Sequence, residues 1–493
     1  MRGRCKMKNS LIELPPRHVW DHFARLCEIP RASLHEENLI KHLREWADAR
    51  GIESRVDRAG NLILRKAASA GCEAGEPVVL QGHLDMVCQA NCGVEHDFLQ
   101  DPISAVVKDG WVTAEKTTLG ADNGIGVALA LAVLEEPDLI HPAIEVLLTV
   151  NEECGMDGAR NLEPGALHGK RLINLDSEEW GHFYLGCSGG IDVHIARACQ
   201  EERVPPGHAL VGFDVSGLRG GHSGIDIHLG RGNAIKLLSE ALRDLSLSVD
   251  LRLVGLKGGS ARNAIPREAH ALCALPDEIA SSIDEWVRHR REAWQKRFAL
   301  SDPAVEFSCT HYDDLPENSA TSDERDRILA FLDTVANGVN EMNRDFPGVT
   351  DTSSNLGVAA LEYGKFEAVI KVRSLHDERS AALAEKLAIH TESYGMEASK
   401  TGAYPAWTPD RNSSMLEFCQ RVYEREFGRP AGLQVIHAGL ECGLLALSHP
   451  HLDMISFGPD IRGAHAPGES VEIESVGRCW RLLKALLQEL AKN

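Results

Sequence analysis

At 493 residues the chain exceeds what one hydrophobic core usually supports, so two or more folding units are expected. Its composition, 43% hydrophobic and 25% charged, carries no disorder signature, and no run approaches the roughly 18 to 20 apolar residues of a membrane span. The formal charge of −21, from 52 basic and 73 acidic residues, argues against non-specific nucleic-acid binding and docking on an anionic membrane, and for a small-molecule partner.

The opening MRGRCKMKNS is basic but leads into LIELPPRHVWDHF without the apolar core of a signal peptide, and Met7 offers an alternative start. Thirteen cysteines lack a framework spacing, and an odd number cannot all pair, which points to a reducing cytoplasm. Cys88 and Cys92 have no second cysteine pair to complete a metal site and are read as free thiols. Residues 17–50 carry apolar residues at helical spacing and predict two helices. Ser33 is the expected cap of the second, with Glu36 three positions on and Gly51 as its stop. RVDRAGNLILRKA predicts a hairpin turning near Gly60, and helix, hairpin and buried strand together suggest an α/β layer domain.

The stretch from Val78 to Val87, VVLQGHLDMV, reads as a buried strand that ends by delivering His83 and Asp85 to one edge of a sheet. His83 offers an imidazole nitrogen to a metal, and Asp85 a carboxylate for its other N–H, although the same pair also occurs in ordinary hydrogen-bonded turns. In TTLGADNGIGVALALAVLEE a glycine-rich turn opens an apolar helix and holds Asp122, a carboxylate able to bridge two cations. A phosphate-binding reading of that turn lacks both a Walker lysine and a full dinucleotide fingerprint. The strand AIEVLLTV ends in Glu152 and Glu153, and GKRLINL is followed by Asp176, both where open parallel sheets bind ligands. His465 lies far downstream in a glycine and proline loop.

The series GHLDMV, GADNGIGVA, NEECG, NLDSE and GAHAPGESV, in this order and spacing, resembles the motifs of the two-zinc exopeptidase and aminoacylase family. HAGLECG at 437–443 most resembles its aminoacyl-histidine dipeptidase branch. The resemblance implies a catalytic domain with a mixed sheet between helices, formed by 1–185 and 396–493, with an α+β lid or dimerisation domain inserted at 186–395. It further implies that His83 and Asp176 hold one metal, Glu153 and His465 the other, and Asp122 bridges them. Two divalent ions are implied, zinc foremost, with N/O donors that also accept cobalt or manganese. Glu152 is then the general base, Asp85 orients His83, and the peptide bond after Asp122 is cis.

In the lid, His222 matches a histidine that stabilises the oxyanion, and Asn263 and Arg373 match residues that grip the substrate's carboxylate. His437 and Glu441, four apart, would share a helix face, with Glu441 accepting the substrate's amino group or supporting the ligands. The implied activity is hydrolysis of unblocked dipeptides, Xaa-His such as carnosine among them, by a homodimer in the cytoplasm. The alternatives are an N-acyl amino acid deacylase with the same metals and a non-catalytic binding relative.

Overall fold

The computed structural model describes residues 11–492, so the choice between Met1 and Met7 as start lies outside the described residues. The backbone separates into two compact units, one formed by the chain up to Gly186 with Pro409–Val435 and Leu440 onward, the other by Cys187–Thr408 with Ile436–Gly439. Among the described residues no helix is long and apolar enough to cross a membrane, and the cysteines are free thiols.

The first unit is built on an eight-stranded mixed sheet. Its centre is parallel: Val78–His83 lies between Ile144–Thr149 and Arg171–Asn174, and Asp453–Ser456 continues in the same direction. Each residue of Val78–His83 and of Ile144–Thr149 is buried, which explains their near-continuous apolar runs. Glu53–Val56 and Leu62–Lys66 form the expected hairpin, with Gly60 at φ 97°. Helix Arg17–Glu28 buries Val19, Trp20, Phe23 and Leu26, and helix Ala121–Glu135 is buried along almost its whole length.

The second predicted helix is Glu37–Asp48, but Ser33 does not cap it. Its hydroxyl donates to Asp85 Oδ2 at 2.7 Å instead, while the Glu36 carboxylate accepts the Asn151 N–H at 2.8 Å. Both polar side chains of the apparent capping box therefore serve the loops beyond the sheet.

The second unit is a nine-stranded antiparallel sheet backed by helices, among them Ala234–Ser246, Ile283–Arg297, Ser322–Thr334 and Asp377–Ser393. Asn233 caps the first of these by accepting the Ile235 and Lys236 N–H groups. The unit extends past the expected boundary at 395, because strand Glu397–Tyr404 pairs with Gly189–Ala198. That strand is mostly exposed and polar, so no hydrophobic run marked it.

Candidate metal and catalytic site

In the first unit, four of the five predicted ligands lie at strand ends or in turns beside the parallel strands. His83 is the last residue of its strand, and the preceding Gly82 is required: a Cβ there would meet Asn123 Oδ1 at 2.3 Å. That oxygen accepts the His83 N–H, and the Asn123 amide donates to the Leu175 carbonyl, which locks the turn of Asp122 onto two strand ends. The Asp122–Asn123 peptide is cis.

Asp122 presents one oxygen to each histidine. Oδ1 lies 3.0 Å from His83 Nε2 and Oδ2 lies 3.0 Å from His465 Nε2. On the His83 side Asp176 Oδ1 stands 3.4 Å from the same nitrogen, and on the His465 side Glu153 Oε1 stands at 3.1 Å. Glu153 Oε1 is buried and, although at ion-pair distance from His465, meets no hydrogen-bond geometry. A buried carboxylate oxygen left in that state is a donor atom awaiting a cation.

Electrostatics agree with that reading. Burial works against charge on His83, yet Asp176, Asp122 and Asp85 hold its imidazole protonated well above the ordinary range. His465 is pushed up to about 11 by its hydrogen bond to Asp122 and by the Glu153 carboxylate beside it. Burial also opposes ionisation of Asp122, but His465 and His83 keep it well below the usual carboxylate range. Asp176 goes the other way, up to about 6, through burial and its acidic neighbours Asp122 and Glu153. The cluster thus demands positive charge at two points, one on each side of Asp122, and its N/O donors suit zinc-like divalent ions.

Asp85 does more than face His83, whose Nδ1 lies 3.4 Å away, too far for a well-formed hydrogen bond. Its two oxygens accept the N–H groups of Glu152 at 3.0 Å and Glu153 at 3.1 Å. It thereby positions Glu152 and Glu153 together. Burial, reinforced by Glu153, Asp176 and Glu441, pushes the Glu152 carboxyl well above its usual range, against the pull of His83.

Two supports escaped sequence reasoning. Glu469, 1% exposed, accepts four backbone N–H groups: Leu119 at 2.8 Å and Gly120 at 3.0 Å on one oxygen, Ala121 at 2.7 Å and Asp122 at 3.2 Å on the other. Burial and the Asp122 charge push this carboxyl up, against the four N–H donors, which favour the carboxylate. Arg31, 3% exposed, donates to the carbonyls of Leu84, Asp85 and Gly120, joining the strand end to the glycine turn. Gly120 has φ 71°, and a Cβ there would strike the guanidinium. Glu469 sat within a motif singled out for its histidine; Arg31 had no signal in the sequence.

Glu441 is the first residue of helix Glu441–Ser448, whereas His437 precedes that helix in a segment grouped with the second unit. The shared helix face expected from their spacing does not form. Glu441 is fully buried, accepts from Gln81 at 2.6 Å and Thr149 at 2.5 Å on Oε2, and leaves Oε1 without a hydrogen bond. Burial raises it to about 8.

The second unit holds its own polar cluster. Arg373, 4% exposed, donates to Tyr404 Oη at 2.7 Å and Ser223 Oγ at 3.3 Å, and its Nη2 lies 3.3 Å from His222 Nε2. His222 Nδ1 accepts the N–H groups of Gly224 and Ile225, which assigns the proton to Nε2. Two N–H donors then face each other, an arrangement suited to a shared anion. His437 bonds Ser353 Oγ at 2.7 Å and is lowered to about 3 by burial and by the Arg373 charge. The Asn263 side chain is exposed; its carbonyl accepts the Ser223 N–H.

The sequence model described as peptidase family M20/M25/M40 matches residues 79–489. The cytosol non-specific dipeptidase of Escherichia coli (strain K12) is 42% identical over 484 residues, spanning 98% of this chain and 99% of that protein. The crystal structure of aminoacylhistidine dipeptidase from Vibrio alginolyticus is 41% identical, covers 97% of this chain and 98% of its own, and superposes with a TM-score of 0.85. Aminopeptidase PepT from Bacillus cereus, 16% identical with a TM-score of 0.54 over 97% of this chain and 99% of its own, shares the fold.

Proposed function

Because the chain belongs to peptidase family M20/M25/M40, we propose that it is a metal-dependent dipeptidase acting on short unblocked peptides, Xaa-His dipeptides among them. The observation that carries this is Asp122, with one carboxylate oxygen 3.0 Å from each of two histidines that have further carboxylates beside them. His83 and Asp176 would hold one ion, Glu153 and His465 the other, and Asp122 both; we assign zinc, for which cobalt or manganese could substitute. Two such ions supply, when bound, an acidified water and a polarised scissile carbonyl.

The chain's own groups do the rest. Glu152, with its elevated proton affinity, takes the water proton and hands it to the leaving amine. Asp85 fixes where that carboxylate sits. In the second unit Arg373, with Asn263, receives the peptide's carboxylate, and the Nε2–H of His222 serves the developing oxyanion. The unpartnered Oε1 of Glu441 accepts the free ammonium group. An ammonium acceptor and a carboxylate clamp admit only very short substrates. A homodimer in the cytoplasm completes the proposal.

The test pairs metal analysis with hydrolysis of an Xaa-His dipeptide and of an N-acetyl amino acid, before and after chelation and zinc re-addition. Dipeptide cleavage that falls and returns with the metal, without deacylation, is the expected result. Metal binding with deacylation alone would replace the dipeptidase by a deacylase, and failure to bind metal would overturn both.

A further inference from the structure

The second unit carries a separate cluster of mixed donors on the outer end of its sheet. Strand Glu306–Tyr312 is the last in the sheet order and pairs with His208–Ser216. Alternate residues Phe307, Cys309 and His311 project to one face. Phe307 fixes which face that is: it is buried and packs against Trp294 at 4.9 Å and Trp286 at 5.8 Å between ring centroids, both on helix Ile283–Arg297. Cys309 and His311 follow along the same face, and Asp284 stands in the first turn of that helix.

The donor atoms of Asp284, Cys309 and His311 all lie within 4.8 Å of one another. Asp284 Oδ1 is 3.4 Å from Cys309 Sγ, and Oδ2 is 3.7 Å from His311 Nε2. Bond lengths of about 2.0 Å to N or O and 2.3 Å to S in a tetrahedral zinc site place neighbouring donors about 3.3 to 3.5 Å apart. The two measured edges lie near that range but end on different oxygens of Asp284; with a single oxygen from that carboxylate the three donors lie within 4.8 Å of one another.

We propose that Asp284, Cys309 and His311 form a binding site for a thiophilic divalent cation, zinc or cadmium, distinct from the carboxylate-rich cluster of the first unit. A sulfur, a nitrogen and an oxygen donor select such ions over calcium or magnesium, which take oxygen ligands. His311 and Asp284 are exposed, so solvent water supplies the remaining position. Binding replaces the thiol S–H bond by a metal–sulfur bond, the proton leaves to solvent, and no group changes oxidation state. The bound ion would pin the first turn of the helix to the edge strand.

Cadmium is the probe, because a thiolate–cadmium bond has an ultraviolet charge-transfer band and the first unit's cluster contains no sulfur donor. Zinc-loaded enzyme is titrated with cadmium alone, and dipeptide hydrolysis reports that each variant is folded. The expected result is a band that saturates at one equivalent, disappears in Cys309→Ser, and needs about tenfold or more cadmium in His311→Ala and Asp284→Asn, with hydrolysis unchanged. Absence of the band, its survival in Cys309→Ser, or unaltered affinity in both other variants would overturn the proposal.

Discussion

Glu469 offers a perturbation whose effect can be worked from four distances. Its carboxylate accepts the N–H groups of Leu119, Gly120, Ala121 and Asp122 between 2.7 and 3.2 Å, and the side chain is 1% exposed. Substitution by glutamine keeps the size and one oxygen, loses two of the bonds, and turns an NH2 group toward two amide donors. At about 1 to 2 kcal/mol for each buried donor left unsatisfied, Glu469→Gln should cost the first unit about 2 to 4 kcal/mol. Alanine orphans all four donors and should cost more. The turn that relaxes carries Asp122, so both of its 3.0 Å contacts to His83 and His465 shift together. A displacement of about 1 Å at a reacting centre costs on the order of 100-fold, and kcat/KM should fall by that factor. Urea unfolding and steady-state hydrolysis, each with saturating zinc, measure the two effects. A Glu469→Gln enzyme within about 0.5 kcal/mol of the parent and with unchanged kcat/KM would refute the claim that this side chain holds Asp122 in place.

Glu152→Gln should keep its bound metal and lose about 100- to 10,000-fold in kcat, and full turnover with metal retained would remove Glu152 from the mechanism. Lys236 donates to the carbonyls of Leu332, Asp333 and Val335 at the end of helix Ser322–Thr334, and burial lowers its ammonium to about 8. Lys236→Met should destabilise the second unit by about 2 kcal/mol, the bonds being partly offset by the relief of desolvation; thermal unfolding reads this out, and an unchanged transition contradicts it. Glu135 is held down at about 2, against 4.5 ordinarily, by its hydrogen bond from His22 and then by Arg50. A depressed carboxylate stabilises the fold above its unfolded value, and that contribution fades as pH drops from about 4.5 toward about 2. Discounted for solvent screening, Glu135→Gln should cost about 1 kcal/mol at neutral pH and nothing near pH 2, so a gap that persists in acid would break the assignment.

The legible part of the site is the part that sits at the ends of buried strands. His83, Glu152, Glu153 and Asp176 each follow an apolar run whose strand is parallel and central, and the sheet carries them to a common edge. Asp122 was legible through its glycine turn, where Gly120 and Gly82 make room for Arg31 and Asn123. What could not be read is the backbone hydrogen bonding of charged side chains. Glu469 and the amides it accepts are some 350 residues apart in sequence, and Asp85 grips the Glu152 turn from 67 residues away. No periodicity encodes such a partner, because its acceptor or donor is a main-chain group present at every residue. The same limit explains Ser33, whose capping pattern was genuine as a pattern while its hydroxyl turned to Asp85.

These unread bonds decide how the cluster tolerates its own charge. Asp85 and Glu469 are buried carboxyl groups that hold no place in the proposed ligand set, and each accepts backbone N–H groups of the first unit. Asp122, Glu153 and Asp176 are different: their nearest compensation is imidazole, and Asp176 is pushed up to about 6 where that compensation falls short. Separating the acids into those neutralised by the fold and those left for a ligand gives each ion a defined place without asking the ions to hold the loops. Folding positions the turns of Asp122 and Glu152 first, through Glu469 and Asp85. Metal affinity is then the release of repulsion among carboxylates already gathered, which makes it a property of the first unit's loops as much as of the five residues proposed to hold the metal.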